Sequence, residues 1–89
     1  MADLKIVLVG AGSRSFGPST IRDILLSKPL REKSIEVVLM DTVGKHLRDI
    51  ERYARAVTRR FGGRIAYRPT TSLSAALPGA DYVISAIEV

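Results

Sequence analysis

The sequence predicts an α/β fold with a parallel β-sheet, and three features of the chain support this prediction. Apolar runs of strand length recur at Leu4 to Val9, Ile35 to Met40 and Asp81 to Ile87. Segments with apolar residues at helical spacing separate these runs. A glycine turn, Gly10-Ala11-Gly12-Ser13, directly follows the first run. Because parallel neighbours need a crossover of about a dozen residues or more, the alternation predicts right-handed strand–helix–strand units.

The first half of the chain contains two predicted strands with one helix between them. Leu4 to Val9 is rich in branched residues and stops at glycine, which is typical of a parallel strand covered on both faces. From about Gly17 or Pro18 to Ser27 the apolar positions recur at helical spacing, and Pro29 lies just past the predicted end. The polar stretch Arg31 to Ser34 predicts an exposed loop before the second strand, Ile35 to Met40.

The second half predicts a long helix, an edge strand, a short helix and a fourth strand. The long helix ends at Gly62-Gly63, and its apolar stripe alternates spacings of three and four: Leu47, Ile50, Ala54, Val57 and Phe61. Arg64 to Arg68 alternates polar and apolar residues, which favours an edge position. Ser72 to Leu77 predicts one or two helical turns before the buried strand Asp81 to Ile87. The predicted fold is therefore a Rossmann-type three-layer α/β fold, represented by its first four strands in the order 3-2-1-4.

Length and composition limit the function classes. The chain has 89 residues, enough for one small domain or part of one, with no cysteine and a formal net charge of +5. No apolar run reaches the roughly 20 residues of a membrane span, so we expect a cytoplasmic protein with no membrane partner. Many cations lie on one face of the long helix without interleaved aromatic residues, which predicts a solvated face and no nucleic-acid partner. His46, the single histidine, could not make a metal site alone.

The glycine turn carries the chemistry predicted for this chain. Gly10 and Gly12 match a dinucleotide fingerprint, in which one glycine permits a tight turn and the next lets the backbone approach a pyrophosphate. Ser15 replaces the third glycine of that pattern, and Gly17 follows two residues later. Amides and the macrodipole at the helix start favour an anion there by about 0.3–1 kcal/mol.

Three further residues complete the predicted cofactor site. Asp41 follows the second strand, where its carboxylate can accept hydrogen bonds from the adenosine ribose and favours NAD over NADP. Ser13 adds a hydroxyl donor, and Arg14 is a candidate phosphate contact that keeps NADP as the less favoured option. Two alternatives stay open: the glycines form an ordinary strand-to-helix turn, or Asp41 or Thr42 caps the long helix. Glu88 is either a site residue at the end of the fourth strand or a solvated strand end.

Four stretches of the chain form a more specific pattern. They are residues 5–13 with Phe16 shortly after, Val38-Leu39-Met40-Asp41, Thr70-Thr71, and Ala80-Asp81-Tyr82-Val83-Ile84. Together they resemble the opening segment of glycoside hydrolase family 4, the NAD- and divalent-metal-dependent glycosidases. The Gly-x-Gly-Ser start with Phe16, followed by Ile21-Arg22-Asp23-Ile24, resembles the α-glucosidase and α-galactosidase branch more than the 6-phospho-β-glucosidase branch. Thr42-Val43 departs from the acidic pair that often follows the strand-two aspartate in that family.

The resemblance implies an enzyme that hydrolyses O-glycosidic bonds by oxidation, elimination and addition, with NAD as cofactor. In that family NAD oxidises the sugar C3 hydroxyl, a base removes the C2 proton, the aglycone leaves, water adds and the hydride returns. Gly10, Gly12, Ser13 and Asp41 match the family's dinucleotide contacts. A divalent metal, usually manganese, is also implied, with its ligands and the catalytic base beyond residue 89. No catalytic or metal-binding residue is therefore assigned within the chain.

Residues 1–89 are accordingly expected to be the N-terminal part of an NAD-binding Rossmann domain. The rest of that domain and the catalytic, metal-binding domain would be absent from this chain, which alone should be inactive and unstable or prone to associate. For the parent protein we expect a glycoside substrate and a homo-oligomer. The alternative is the N-terminal half of a lactate- or malate-type NAD-dependent dehydrogenase, and a free-standing nucleotide sensor is a third option. Gly12-Ser13 and Phe16 favour the glycosidase.

Overall fold

The computed structural model describes residues 2–13 and 16–85. The strands are β1 (Leu4–Val9), β2 (Ser34–Met40), β3 (Arg64–Thr70) and β4 (Tyr82–Ser85). The helices are α1 (Phe16–Leu26), α2 (Lys28–Arg31), α3 (Gly44–Phe61) and α4 (Leu73–Ala76). The four strands form one sheet in the order β3-β2-β1-β4, and every pair is parallel. These findings confirm the predicted α/β fold and its strand order.

The connection between α1 and β2 differs from the exposed loop that the sequence predicted. A short helix, α2, occupies its first half, and β2 begins at Ser34 instead of Ile35. The Ser27 side chain caps α2 by accepting a hydrogen bond from the Leu30 amide at 3.5 Å, and Pro29 lies in its first turn. Proline suits this position because the first turn of a helix needs no amide donor. Pro29 therefore both follows α1 and helps to start α2.

Three other boundaries differ from the prediction by one to a few residues. Helix α1 begins at Phe16, one or two residues before the predicted start at Gly17 or Pro18. Strand β3 continues to Thr70, because Pro69 and Thr70 still pair with Leu39 and Met40 of β2. A proline is compatible with this position because β3 is an edge strand, as predicted. Strand β4 begins at Tyr82, and positions 86 and 87 of the predicted strand lie outside the described residues.

The core lies mainly between the sheet and the two long helices. Ile6 and Leu8 of β1 face these helices, whereas Val7 faces the opposite side. The main cluster comprises Ile6, Leu8, Ala11, Ile21, Ile24, Leu25, Ile35, Val37, Leu39, Leu47, Ile50, Ala54 and Tyr67. A smaller cluster on the second face comprises Val7, Val38, Met40 and Ala76, the last of these from α4. The central strands β1 and β2 are thus buried on both faces over most of their length, which explains why their sequences are mostly apolar.

Helix α3 has the apolar stripe and basic face that its spacing predicts. Leu47, Ile50 and Ala54 are buried, whereas Phe61, at the end of the predicted stripe, is 40% exposed. Gly62 ends the helix in the left-handed conformation with φ 79°, and its amide donates to the Thr58 carbonyl at 2.8 Å. Within residues 2–13 and 16–85, no helix is both long enough and apolar enough to cross a bilayer.

The β3 edge of the sheet is occupied by polar contacts. Arg55 of α3 donates to the Tyr67 carbonyl at 3.1 Å and pairs with Glu51 at 2.7 Å. Pro69 supplies no amide, and Arg64 donates to the Glu32 carbonyl at 2.8 Å. Arginine side chains and proline on an edge oppose pairing with a foreign strand, because they block or remove the backbone groups that such a strand would use.

Gly17 lies where α1 passes closest to the turn after β1. A Cβ atom built on Gly17 would overlap the Ala11 carbonyl oxygen and lie 3.1 Å from Ile50 Cδ1. Only glycine therefore allows this approach of helix to turn. The helix-packing function of the third fingerprint glycine, whose usual position Ser15 occupies, falls on Gly17.

We predict that Gly17→Ala lowers the free energy of unfolding by about 1–3 kcal/mol, because the new methyl group must displace backbone atoms. Gly44→Ala is the matched control, since a Cβ atom there has no neighbour within 4 Å. The control should be neutral or stabilising by up to about 1 kcal/mol. Chemical denaturation of both variants of the complete parent protein measures the difference, and equal stabilities would contradict the packing argument.

Tyr67 is the buried aromatic residue of β3. Its hydroxyl shares a 2.6 Å hydrogen bond with the Thr58 hydroxyl of α3, and both residues are buried. Burial raises the pKa of the Tyr67 phenol above its usual 10.0, and the Thr58 hydrogen bond and the Arg55 guanidinium lower the pKa by a smaller amount. The folded protein therefore holds the phenol proton more tightly than the unfolded chain does.

This difference predicts a loss of stability at alkaline pH. Tyrosine in the unfolded chain loses its proton from about pH 10, where Tyr67 in the folded protein still retains it, so unfolding becomes more favourable as pH rises. The contribution is fully present below about pH 10 and is lost as pH rises through the folded pKa. Denaturation measured across this range should show a smaller pH-dependent loss for Tyr67→Phe than for the wild type. If the free energy of unfolding falls with pH equally steeply in Tyr67→Phe and in the wild type, the prediction is wrong.

Candidate functional site

The turn after β1 is tied to the end of β2. The amides of Gly10 and Ala11 both donate to the Met40 carbonyl, at 2.9 and 3.0 Å. The Ser13 amide donates back to the Gly10 carbonyl at 3.0 Å, which closes a tight turn. Gly10 has φ 81°, a conformation that residues with side chains rarely adopt. Its role as the glycine that permits the tight turn therefore has a direct structural basis.

Gly12 is the point of closest approach between this turn and the loop after β2. Its amide donates to Asp41 Oδ2 at 2.9 Å. A Cβ atom built on Gly12 would lie 2.8 Å from Asp41 Oδ2 and 2.5 Å from His46 Cβ. Both distances are shorter than real Cβ contacts, so Asp41 and His46 together require glycine at position 12.

The Asp41 carboxylate is held on both oxygens. Oδ2 accepts from Gly12, and Oδ1 accepts from the Val43 amide at 3.0 Å, as in an Asx-turn. Its own amide donates to the Thr70 carbonyl at 3.2 Å, so Asp41 lies where the carboxyl ends of β2 and β3 meet. Each carboxylate oxygen has the lone-pair capacity for a second hydrogen bond, and the residue is only partly buried. The carboxylate can therefore receive hydroxyl donors from solvent or from a ligand.

The helix-cap alternative for Asp41 and Thr42 is wrong. The N-cap residue of α3 is Val43, and no side chain makes a capping hydrogen bond there. The Asp41 carboxylate instead accepts hydrogen bonds from the Gly12 and Val43 amides. Helix α3 thus begins without side-chain capping, as happens where the residue with capping chemistry bonds elsewhere.

The remaining predicted site residues divide between the described and the undescribed parts of the chain. The Ser13 carbonyl accepts a 3.2 Å hydrogen bond from the Gly17 amide, so Ser13 leads directly into α1. Arg14, Ser15 and Glu88 lie outside the described residues. Gly10, Gly12, Ser13 and Asp41 come together at the carboxyl edge of the sheet, where ligands bind in open α/β folds.

An open cleft of about 370 Å³ lies between α1 and α3, beside the glycine turn. Its lining combines apolar and titratable side chains: Gly12, Ser13, Pro18, Lys45, His46, Asp49, Ile50 and Tyr53. Sequence reasoning missed the part of His46 in this arrangement, because the contact of its Cβ with Gly12 depends on the packing of α3 and leaves no local pattern. Over the part of the chain that the structure describes, no group of three or more potential metal ligands occurs.

Comparison with known proteins identifies the family. The profile described as "Family 4 glycosyl hydrolase" matches residues 5–89. An α-glucosidase from Erwinia rhapontici is 39% identical over 85 residues, which is 96% of this chain and 18% of that protein. The fold matches a 6-phospho-α-glucosidase from gut microorganisms, solved with NAD and glucose-6-phosphate (TM-score 0.80, 24% identity, 97% of this chain and 19% of that one).

A second solved structure gives the same fold. It is the 6-phospho-β-glucosidase from Thermotoga maritima, solved with manganese, NAD+ and glucose-6-phosphate (TM-score 0.77, 22% identity, 94% of this chain and 20% of that one). The chain spans about a fifth of the length of these relatives. The chain belongs to family 4 of the glycosyl hydrolases.

Proposed function

We propose that residues 1–89 form the NAD-binding N-terminal part of a longer family 4 glycosidase. The observation that carries this proposal is the pairing of Gly12 with Asp41, which places a partly exposed carboxylate 2.9 Å from the amide of the glycine turn. A carboxylate and a glycine turn at the carboxyl edge of a parallel sheet fit the two polar parts of a dinucleotide, the ribose and the pyrophosphate. The rest of the Rossmann domain and the catalytic domain would follow in the longer protein.

The residues present have the chemistry for adenosine diphosphate recognition. Asp41 offers acceptor positions to the ribose hydroxyls and repels the 2′-phosphate of NADP. Gly12 has no side chain of its own to keep a pyrophosphate away from its backbone. The start of α1 contributes its positive dipole end, Ser13 a hydroxyl and Arg14 a positive charge. These roles of Gly10, Gly12, Ser13, Arg14 and Asp41 are part of the proposal.

The reaction proposed for the longer protein is hydrolysis of an O-glycosidic bond by oxidation, elimination and addition. When bound, NAD supplies a hydride acceptor for the sugar carbon, and a divalent metal, manganese in one fold neighbour, supplies a Lewis acid at the sugar oxygens. The task of residues 1–89 is to bind and orient the dinucleotide. The metal ligands and the catalytic base would come from the rest of the longer protein, so the 89-residue chain alone is proposed to be inactive.

An α-linked glycoside is the proposed substrate class. The support is the 39% identity to an α-glucosidase, together with the Gly-x-Gly-Ser start and Phe16. For the longer protein we also propose a cytoplasmic location, a homo-oligomeric state and no nucleic-acid partner. Membership of family 4 decides against the lactate- or malate-type dehydrogenase that shares this type of N-terminal half.

Calorimetric titration of NAD into the complete protein that contains this chain tests the cofactor site. We expect binding of NAD in preference to NADP, and weaker NAD binding by Asp41→Ala. Hydrogen bonds to a charged group contribute about 1.5–3 kcal/mol, so the substitution should weaken binding by about tenfold to a hundredfold. It should also reduce the preference for NAD, because the 2′-phosphate of NADP no longer meets a carboxylate.

Asp23→Ala is the control for this titration, since it removes the same charge from an exposed position in α1. It should leave NAD binding unchanged. If the wild-type protein binds neither NAD nor NADP, the cofactor proposal is wrong and the glycine turn is a structural connection only.

Cofactor removal tests the reaction class. After NAD and divalent metal are stripped by desalting with a chelator, the complete protein should lose hydrolysis of p-nitrophenyl α-glucoside or its 6-phosphate. Addition of both NAD and Mn²⁺ should restore it, whereas either one alone should not. Full activity without NAD would contradict the proposed redox route and indicate direct displacement by two carboxylates.

A further inference from the structure

We propose that Asp41 is a positioning residue for the glycine turn, in addition to any contact it makes with ribose. The consequence for cofactor binding rests on the proposed function, whereas the hydrogen bond between Gly12 and Asp41 forms within the protein and needs no ligand. Asp41 Oδ2 is the acceptor of the Gly12 amide at 2.9 Å, and Oδ1 is the acceptor of the Val43 amide at 3.0 Å. One carboxylate thus joins the loops that follow β1 and β2.

The hydrogen bonds of the turn show why this link matters. The Gly10, Ala11 and Ser13 amides all have backbone acceptors, namely the Met40 carbonyl for the first two and the Gly10 carbonyl for the third. Gly12 alone among these four donates to a side chain. The orientation of the Ala11–Gly12 peptide therefore depends on Asp41, whereas the neighbouring peptides are fixed by main-chain atoms.

Steric contacts of Gly12 with Asp41 and His46 further restrict the conformation of the turn. Gly12 lies against both Asp41 Oδ2 and His46 Cβ, with no space for a side chain of its own. Glycine is the residue with the greatest backbone freedom, so it needs outside contacts to hold one conformation. Asp41 supplies the polar contact and His46 the apolar one. Loss of Asp41 leaves the amide without its acceptor and widens the range of turn shapes that a pyrophosphate meets.

The two roles of Asp41 can be separated by the choice of ligand. If Asp41 acts only on ribose, a dinucleotide without adenosine ribose hydroxyls should bind equally well to the wild type and to Asp41→Ala. If Asp41 also positions the turn, Asp41→Ala should weaken the binding of both ligands. The test ligand is the NAD analogue built on 2′,3′-dideoxyadenosine, with NAD itself measured in parallel.

Two measurements on the complete protein test the proposal. Calorimetry should show the dideoxy analogue bound about fivefold or more weakly by Asp41→Ala than by the wild type, with Asp23→Ala unchanged. Hydrogen exchange of ¹⁵N-glycine-labelled protein without cofactor should show the Gly12 amide exchanging about tenfold faster in Asp41→Ala, with the Gly62 amide, which bonds to the Thr58 carbonyl, unchanged. Equal binding of the analogue by wild type and variant, or an unchanged Gly12 exchange rate, would overturn the positioning role.

The exchange measurement also separates this proposal from the proposed function. Absence of NAD binding by the wild type would reject the cofactor site, whereas the Gly12 exchange rate in cofactor-free protein would still decide the positioning role. If Asp41→Ala does not fold, Asp41→Asn replaces it. Its one carbonyl oxygen can serve either Gly12 or Val43 but not both, so we expect a smaller change in the same direction, and no change would again overturn the proposal.

Discussion

The end of β2 holds the turn after β1 through two acceptors, the Met40 carbonyl and the Asp41 carboxylate. Three successive amides of the turn, from Gly10 to Gly12, bond to this one strand end. Because β1 and β2 are paired in register up to Val9 and Met40, the sheet fixes where those acceptors lie. The position of the candidate site is thus a consequence of strand pairing in the core.

The close contacts around this turn explain the distribution of glycine in the first part of the chain. Gly10 supplies the left-handed conformation, Gly12 fits between Asp41 and His46, and Gly17 lets α1 pass the Ala11 carbonyl. Each glycine is required by a different part of the structure. The turn itself requires Gly10, the loop before α3 and its first turn require Gly12, and the packing of α1 requires Gly17. The three glycines therefore meet three separate requirements, one of backbone conformation and two of close packing.

Much of the fold follows from local patterns in the sequence. The apolar runs of β1 and β2, the stripe of α3 and the stop at Gly62 are determined by burial and periodicity, which the residues display directly. The sequence does not predict helix α2, because four residues are too few to show a helical period. Ser27 and Pro29 instead indicate the end of the preceding helix. In the site, the Gly12–Asp41 contact joins residues 29 positions apart, so only the sheet register reveals it. The contact of His46 with Gly12 likewise depends on tertiary packing.

The two edges of the sheet have different chemistry. At β3, Arg55 donates to the Tyr67 carbonyl and Pro69 lacks an amide, and both features oppose pairing with a further strand at that edge. At β4, Tyr82 and Val83 are 59% and 51% exposed. A further strand, from the same polypeptide or from another copy, would therefore pair more readily with β4 than with β3. Contact with further apolar surface is favoured at β4, where Tyr82 and Val83 are exposed, and disfavoured at β3, where Arg55 bonds to the backbone.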